Sequence, residues 1–181
     1  MRLLRFAAAC LWLAAPLAAD VSQCACDPAK PETMKARNCS LCAEAEKQPP
    51  GTEFFLLKDA NPRKPNRWLA LPRMHRPGAH DLREYPKPVR DGLWRFAIQA
   101  AREKFGGEWG IAYNGPEVRT QCHMHLHIGR FVRAAETRQF LFVRRVEDIR
   151  VPEKGGLWVH PVEGGYHVHP GEQITETALV R

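Results

Sequence analysis

The sequence predicts an α+β fold: an antiparallel sheet of about five strands with one main helix, plus a cysteine-bearing N-terminal arm and a C-terminal hairpin. Three observations support this prediction. Short apolar runs such as 53–58 and 67–72 are bounded by turn residues, which is typical of strands. One longer stretch, 89–105, repeats apolar residues at three- and four-residue steps, as an amphipathic helix does. The order strands, helix, strands favours antiparallel pairing over a doubly wound sheet.

The predicted elements follow one another along the chain. The first two runs form a hairpin-like unit, because Asp, Asn and Pro residues dominate 59–66 between them. The helix ends at Gly106 and Gly107, since glycine is favoured just beyond a helix C-terminus. The remaining elements are a strand at 109–113, a turn at 114–116, a strand at 121–128, an apolar strand or helix start at 139–143, and a hairpin of 157–160 with 166–169 around 163–165.

The first nineteen residues are typical of an export signal. Arg2 and Arg5 precede an apolar stretch at 6–17, and Ala18 and Ala19 are small residues suited to cleavage. The apolar stretch is too short for a comfortable bilayer crossing, so we expect an exported protein of the bacterial periplasm. The predicted organisation is a signal peptide at 1–19, an arm at 20–51, a main domain at 52–145 and an extension with the hairpin at 146–181.

The charge of the chain indicates which partners it suits. Lys and Arg number 27 against 20 Asp and Glu, a formal net charge of +7. Loss of the first nineteen residues would remove two arginines and leave 25 against 20, a net charge of +5. A positive chain suits a phosphate-bearing substrate or peripheral contact with an anionic membrane. The basic residues are scattered and form no run with interleaved aromatics, so we expect no nucleic-acid partner.

The most informative motif places histidine at every second position of 121–128, at His123, His125 and His127. Side chains two apart on a strand share a face, about 6.6–6.8 Å from one to the next. A strand here would therefore carry three imidazoles on one face and three apolar side chains on the other. Histidine titrates near physiological pH, so the motif indicates proton chemistry, nucleophilic chemistry at phosphorus, or metal binding.

Three interpretations of this motif compete: a solvent-facing strand that happens to be rich in histidine, a zinc site made of histidines alone, and covalent transfer through an imidazole nitrogen. Three of the eight histidines fall within five residues, which argues against chance. The residues before the motif favour covalent transfer. Asn114, Arg119 and Gln121 offer amide and guanidinium donors for phosphate oxygens, and such donors stabilise the charge that develops there.

Two segments carry a resemblance to the histidine-triad (HIT) superfamily. Residues 123–129 match its alternation of His and apolar residues. Residues 59–75 resemble its other signature, with an Asp, an Asn-Pro turn, a second Pro, an apolar strand, and then Pro and His. The lead-in 119–121 is most similar to that of exported CDP-diacylglycerol pyrophosphatases. The resemblance covers roughly 39–130 and implies a HIT-like catalytic domain at 52–145.

The resemblance also implies roles for the motif. His125 would attack the α-phosphorus of a nucleotide and form a nucleotidyl-histidine that water hydrolyses. His127 and Gln121 would hold phosphate oxygens, while His123 would orient the strand or bind a metal. Arg67 stands where the family commonly has a His, and its guanidinium could still meet a phosphate. Histidine-triad proteins often pair through their sheets, so a homodimer is a further expectation.

The cysteines admit two interpretations. In an exported protein they can form disulfides, including one that involves Cys39 and Cys42. Cys24 and Cys26 are then candidates for pairing with each other or with Cys122. The resemblance implies instead a structural zinc ion. Its ligands would be Cys39, Cys42, His75 and His123.

The leading prediction is thus an exported hydrolase or transferase that cleaves a nucleotide-linked pyrophosphate, with CDP-diacylglycerol as one candidate substrate. A dinucleoside polyphosphate and an aminoacyl nucleotide would present the same phosphate. The alternatives are a non-catalytic periplasmic metal-binding module and a hydrolase with a metal-bound water. For His160, His167 and His169, a solvated hairpin is a simpler account than a second metal site.

Overall fold

The computed structural model describes residues 21, 24–75, 81–171 and 173–181. The fold is α+β, with seven antiparallel strands in one sheet of order β1-β2-β4-β3-β6-β7-β5. The strands are β1 (Phe54–Lys58), β2 (Trp68–Pro72), β3 (Trp109–Tyr113), β4 (Leu126–Arg130), β5 (Leu141–Val143), β6 (Gly156–Val162) and β7 (Gly165–Gly171), and the α-helices are α1 (Ser40–Glu46) and α2 (Lys87–Phe105). The export signal predicted at 1–19 lies outside the described residues.

Helix α2 covers one face of the sheet, as its sequence periodicity predicts. Its apolar side chains, including Leu93, Trp94 and Ile98, are buried in the main core. That core also contains alternate residues of the strands, among them Leu126 and Ile128 of β4. The helix ends at Gly106, which adopts φ 59°, a conformation that glycine reaches without a Cβ clash. The prediction of an α+β fold with an antiparallel sheet is therefore confirmed, although the structure has two α-helices and seven strands rather than one main helix and about five strands.

The N-terminal arm covers part of the opposite face. Helix α1, which the sequence prediction missed, buries Leu41 and Ala45 against side chains of β1 and β2. Two disulfides hold the arm, Cys24–Cys122 and Cys26–Cys39. The first ties the arm directly to the histidine motif, and Cys122 N–H also donates to Asn38 O at 2.7 Å. Disulfides are consistent with an oxidising compartment.

The C-terminal hairpin belongs to the sheet, which explains why seven strands form where about five were expected. Strand β6 pairs with the central strand β3, with Ile111 opposite Val159, and β5 pairs with the far side of β7. The 3-10 helix Thr175–Ala178 then returns across the sheet and contacts β3 and β6. In the part of the chain that the structure describes, no helix combines the length and apolar character needed to cross a bilayer.

The histidine motif differs from the strand predicted at 121–128, because β4 begins only at Leu126. The β2–β4 ladder runs from Trp68–Ile128 to Ala70–Leu126 and stops there. Continued in register, it would bring Pro72 opposite Met124, and proline has no N–H to donate. The Pro72 carbonyl instead accepts a hydrogen bond from His123 Nε2 at 2.7 Å. His123 is thereby directed away from the other two histidines.

Candidate active site

His125 and His127 line a cavity of about 770 Å³ on the face of the sheet opposite α2. This volume lies within the usual range for small-molecule sites. The walls come from the arm, the β1–β2 loop, the segment before the histidine motif and the C-terminal segment. His123 is not among the lining residues. Of the other predicted site residues, those in the wall are Asn114, Arg119 and Gln121.

The β1–β2 loop forms one side of the cavity and is the turn that the sequence predicts. Asn61 N–H donates to Asp59 Oδ1 at 2.9 Å, and Arg63 N–H donates to Asn61 Oδ1 at 3.0 Å. These side chain-to-backbone bonds are the reason that Asp and Asn favour turns. The loop brings Lys64 to the cavity, and Lys58 lines it from the end of β1.

The hydrogen bonds of His125 determine which ring nitrogen is available. Its Nδ1 lies 2.8 Å from the backbone oxygen of His123. A carbonyl oxygen only accepts, so Nδ1 carries the proton and Nε2 keeps its lone pair. Burial lowers the pKa of His125 well below its usual value, and the charges of His127 and Arg119 lower it further. The ring is therefore neutral at neutral pH, and Nε2 is a competent nucleophile.

His127 is held edge-on to His125, with ring centroids 4.7 Å apart. The Asn114 Oδ1 atom accepts from Glu176 N–H at 3.3 Å, so the amide nitrogen must face the ring. That nitrogen lies 3.4 Å from His127 Nε2, which places the ring proton on Nδ1. Burial lowers the pKa of His127 to about 4, although the nearby Glu176 raises it.

Glu176, which sequence reasoning missed, is the carboxylate next to this histidine. Its Oε2 lies 3.6 Å from His127 Nδ1 and accepts from Lys64 Nζ at 2.6 Å and Arg67 Nη1 at 2.8 Å. Burial raises the pKa of this carboxyl, but His127, Lys64 and Arg67 together hold it below its usual value. Glu176 thus lies beside the His127 ring, beyond hydrogen-bond distance of Nδ1, and forms an ion pair with one cavity lysine.

Arg67 anchors the C-terminal segment and is absent from the cavity wall. Besides Glu176 Oε2, its guanidinium donates to the backbone oxygens of Glu176, Leu179 and Val180 at 2.6–2.9 Å. These acceptors take four of its five N–H groups, and its side chain is 2% exposed. The structure thus gives Arg67 a structural role outside the cavity wall, and its contact with a phosphate stays a prediction.

Arg119 and Gln121 lie in the wall but differ in availability. Gln121 connects the cavity to the arm: its Oε1 accepts from Ser40 Oγ at 2.8 Å, and its Nε2 donates to Arg37 O at 3.0 Å. Arg119 is almost fully buried, with its guanidinium 5.9 Å from the Tyr113 ring. Burial lowers the pKa of Arg119, and Tyr113 and Asp81 partly offset that effect. Of the two residues, Arg119 supplies the positive charge.

The predicted zinc ligand set needs correction at Cys39. This residue is bonded to Cys26, and a disulfide sulfur cannot act as a thiolate ligand. The other three residues do converge: ligand atoms of Cys42, His75 and His123 lie within 4.8 Å of one another. Burial raises the pKa of the Cys42 thiol to about 12, so a metal would have to displace its proton. These three residues offer three of the four ligands that a structural zinc ion takes.

Two further features were not resolved by the sequence. The pairing of the cysteines follows from where the arm crosses the histidine motif, and Glu176 lies about fifty residues beyond that motif. No local sequence pattern distinguishes Glu176 from the other acidic residues of the chain. Comparison with protein-family models and with curated proteins gave no match.

Proposed function

We propose that the chain is an exported histidine-triad hydrolase that cleaves a nucleotide-linked pyrophosphate at the α-phosphate, with His125 as the nucleophile. One observation carries the proposal: His125 is buried, neutral, and protonated on Nδ1 by its bond to the His123 carbonyl. The His125 side chain, with its unprotonated Nε2, lines a cavity of about 770 Å³ that has room for a small-molecule substrate.

The chemistry takes two displacements. His125 Nε2 attacks the α-phosphorus, a bond forms between nitrogen and phosphorus, and the bond to the bridging oxygen breaks with its electron pair leaving on that oxygen. The ring then carries a positive charge, which the Nδ1–H bond to the carbonyl stabilises. Water attacks the same phosphorus, the nitrogen–phosphorus bond breaks with its electron pair returning to Nε2, and the proton that the water loses passes to the departed phosphate or to solvent. The neutral ring is thereby restored.

The charge around the cavity supports a phosphate ligand. Four cationic side chains line it, against three carboxylates. One of those carboxylates, Glu176, is already paired with Lys64 and Arg67. The cationic residues are Arg37, Lys58, Lys64 and Arg119. Preorganised cations at a developing oxyanion are the usual means of lowering the barrier to phosphoryl transfer.

The apolar part of the wall supports a substrate with a lipid or a base next to its phosphates. The apolar part of the wall includes the side chains of Leu41, Leu57, Leu69, Val118 and Ile174. Ile174 is 43% exposed at the cavity, where an acyl chain or a nucleobase could cover it. CDP-diacylglycerol has both features and is the substrate we propose first, together with peripheral membrane contact.

A turnover screen with CDP-diacylglycerol, a dinucleoside polyphosphate and an aminoacyl nucleotide tests the proposal. We expect one class to be hydrolysed and to leave an acid-labile nucleotidyl adduct that His125→Ala cannot form. Loss of an essential nucleophile reduces kcat by several orders of magnitude. Glu163→Ala, an exposed change in the β6–β7 turn, is the control and should keep wild-type turnover. Wild-type rates in a folded His125→Ala variant would contradict the proposal.

A metal-binding module is the second candidate, and the convergence of Cys42, His75 and His123 is the observation that favours it. If a zinc ion binds there, these three residues would hold it, and it would fix the backbone of His123 beside His125. Metal binding without turnover of any of the three substrate classes would support this candidate. Turnover that a brief chelator treatment abolishes would indicate a metal-bound water instead.

A further inference from the structure

A second group of histidines lies on the same sheet, away from the cavity of His125. His160 of β6 and His167 of β7 are cross-strand partners, and His169 lies two residues further along β7 on the same face. Glu136, from the segment between β4 and β5, reaches over them. Ligand atoms of all four side chains lie within 4.8 Å of one another.

Three of the four distances between these atoms are close to those in a coordination sphere, and the fourth, from Glu136 Oε2 to His160 Nε2, is shorter at 2.6 Å. Ligands about 2.0–2.1 Å from a tetrahedral ion are separated from each other by roughly 3.3–3.4 Å. His160 Nε2 and His169 Nε2 are 3.3 Å apart. Glu136 Oε1 lies 3.3 Å from His169 Nε2 and 3.1 Å from His167 Nδ1, and its Oε2 lies 2.6 Å from His160 Nε2.

The outer hydrogen bonds leave lone pairs pointing at this centre. His160 Nδ1 faces the Pro161 carbonyl at 3.3 Å, so its proton sits on Nδ1. Thr137 Oγ1 donates to Gln139 O at 3.4 Å and can therefore accept from His169 Nδ1 at 3.2 Å. When both rings are neutral, the unprotonated Nε2 atoms of His160 and His169 thus face each other and also face the Glu136 carboxylate. A cation between them turns this repulsion into bonding, and metal-bound histidines characteristically donate their other N–H in this way.

Each ring is held in place by an aromatic neighbour. Phe131 stacks on His160 at 4.1 Å between centroids, and Phe140 stacks on His167 at 3.8 Å. Trp158 stacks on His169 at 4.8 Å, and the His169 side chain is fully buried. Fixed rings lose little freedom when they bind an ion, which favours affinity.

We propose that Glu136, His160, His167 and His169 form a binding site for one first-row divalent transition metal ion, with Zn²⁺ as the first candidate. Three imidazoles and one carboxylate suit this class of ion. The ion would join the β4–β5 segment, which carries Glu136, to the β6–β7 hairpin. His160 and Glu136 also line a separate cavity of about 400 Å³ with Arg130 and Arg133. The site does not depend on the hydrolase proposed above.

Metal content and zinc affinity of the purified full-length protein test the proposal. We expect Glu136→Gln and His167→Gln to hold one zinc fewer per chain than the wild type. Their zinc affinity should fall by more than the roughly 10- to 100-fold that loss of an outer hydrogen-bond partner costs. Both residues are partly exposed, so these variants should fold, which circular dichroism verifies. Cobalt(II) in place of zinc should give a visible absorption band that both substitutions alter.

Two control variants locate the ion. Glu163→Gln changes an exposed carboxylate on the same hairpin and should keep full zinc content. Cys42→Ser should keep this zinc too, because it alters only the other cluster. Zinc lost in Cys42→Ser but kept in both ligand variants would overturn the proposal. The proposal would also be overturned if the wild type bound no zinc at micromolar concentration. In that case the four side chains would be held by hydrogen bonds between the histidines and Glu136.

Discussion

The pairing of Glu176 with Arg67 and Lys64 allows a quantitative prediction for Glu176→Gln. The amide keeps the shape of the side chain but removes its charge. The Glu176 side chain is 15% exposed, and those of Arg67 and Lys64 are 2% and 21% exposed. A hydrogen bond to a buried charged group contributes about 1.5–3 kcal/mol, and a more exposed pair contributes about 0.2–1 kcal/mol.

The expected loss in the free energy of unfolding is about 2–3 kcal/mol at pH 7. It falls below the roughly 3–5 kcal/mol typical of a broken buried ion pair, because Arg67 keeps its three backbone acceptors. Denaturant unfolding of the wild type and Glu176→Gln measures it. Glu163→Gln, an exposed change of the same kind, should stay within about 0.5 kcal/mol of the wild type.

The pH dependence provides the sharper test. The folded-state pKa of Glu176 is depressed, so its stabilisation is complete above the unfolded-state pKa of about 4.3 and disappears as the pH falls through the folded-state value. The difference between the wild type and Glu176→Gln should therefore shrink below about pH 4. A difference under about 0.5 kcal/mol at pH 7, or one unchanged at pH 3, would refute the reasoning.

Three further predictions concern His127, the arm and the strand beside the site. The pKa of His127 is about 4 in the folded protein and about 6.5 in the unfolded chain, so between these pH values only the unfolded chain binds the proton. Acidification from about pH 6.5 to 4 should therefore lower the free energy of unfolding of the wild type by on the order of 3 kcal/mol more than that of His127→Gln, which denaturant titrations at each pH measure. Replacing Cys24 and Cys122 by Ser opens a link of 98 residues and should lower stability by about 4–5 kcal/mol. Gly156→Ala would push a Cβ against a backbone carbonyl of β3 and should cost about 1–3 kcal/mol by thermal unfolding.

Each of these has its own check. If the free energy of unfolding changes equally with pH in the wild type and in His127→Gln, the His127 ring has the same pKa in the folded and unfolded states. A double serine variant as stable as the wild type would mean that the arm does not constrain the unfolded chain. Gly107→Ala meets no atom within 4 Å, so it is the matched control for Gly156→Ala. A similar cost in both glycine variants would show that the collision with β3 is not the cause.

Local patterns predicted the elements that local physics controls. The apolar repeat of 89–105 corresponds to α2, and the Asp and Asn residues of 59–66 correspond to a turn made by their own side chains. Gly164 lies in the turn of the C-terminal hairpin, and Gly165 is the first residue of β7. Strand β4 was only partly predicted, because the position of Pro72 on a neighbouring strand ends its ladder.

Long-range contacts decided the composition of the sites. The sequence by itself indicated His125 and His127 as candidate site residues, because alternation and residue type are local properties. Only the tertiary structure separates His123 from them, assigns Arg67 to the C-terminal segment, joins Cys39 to Cys26, and brings Glu176 and Glu136 to histidines more than twenty residues away. The physical reason is that a buried charge or ring nitrogen must find a partner, and packing of distant segments determines which partner is within reach.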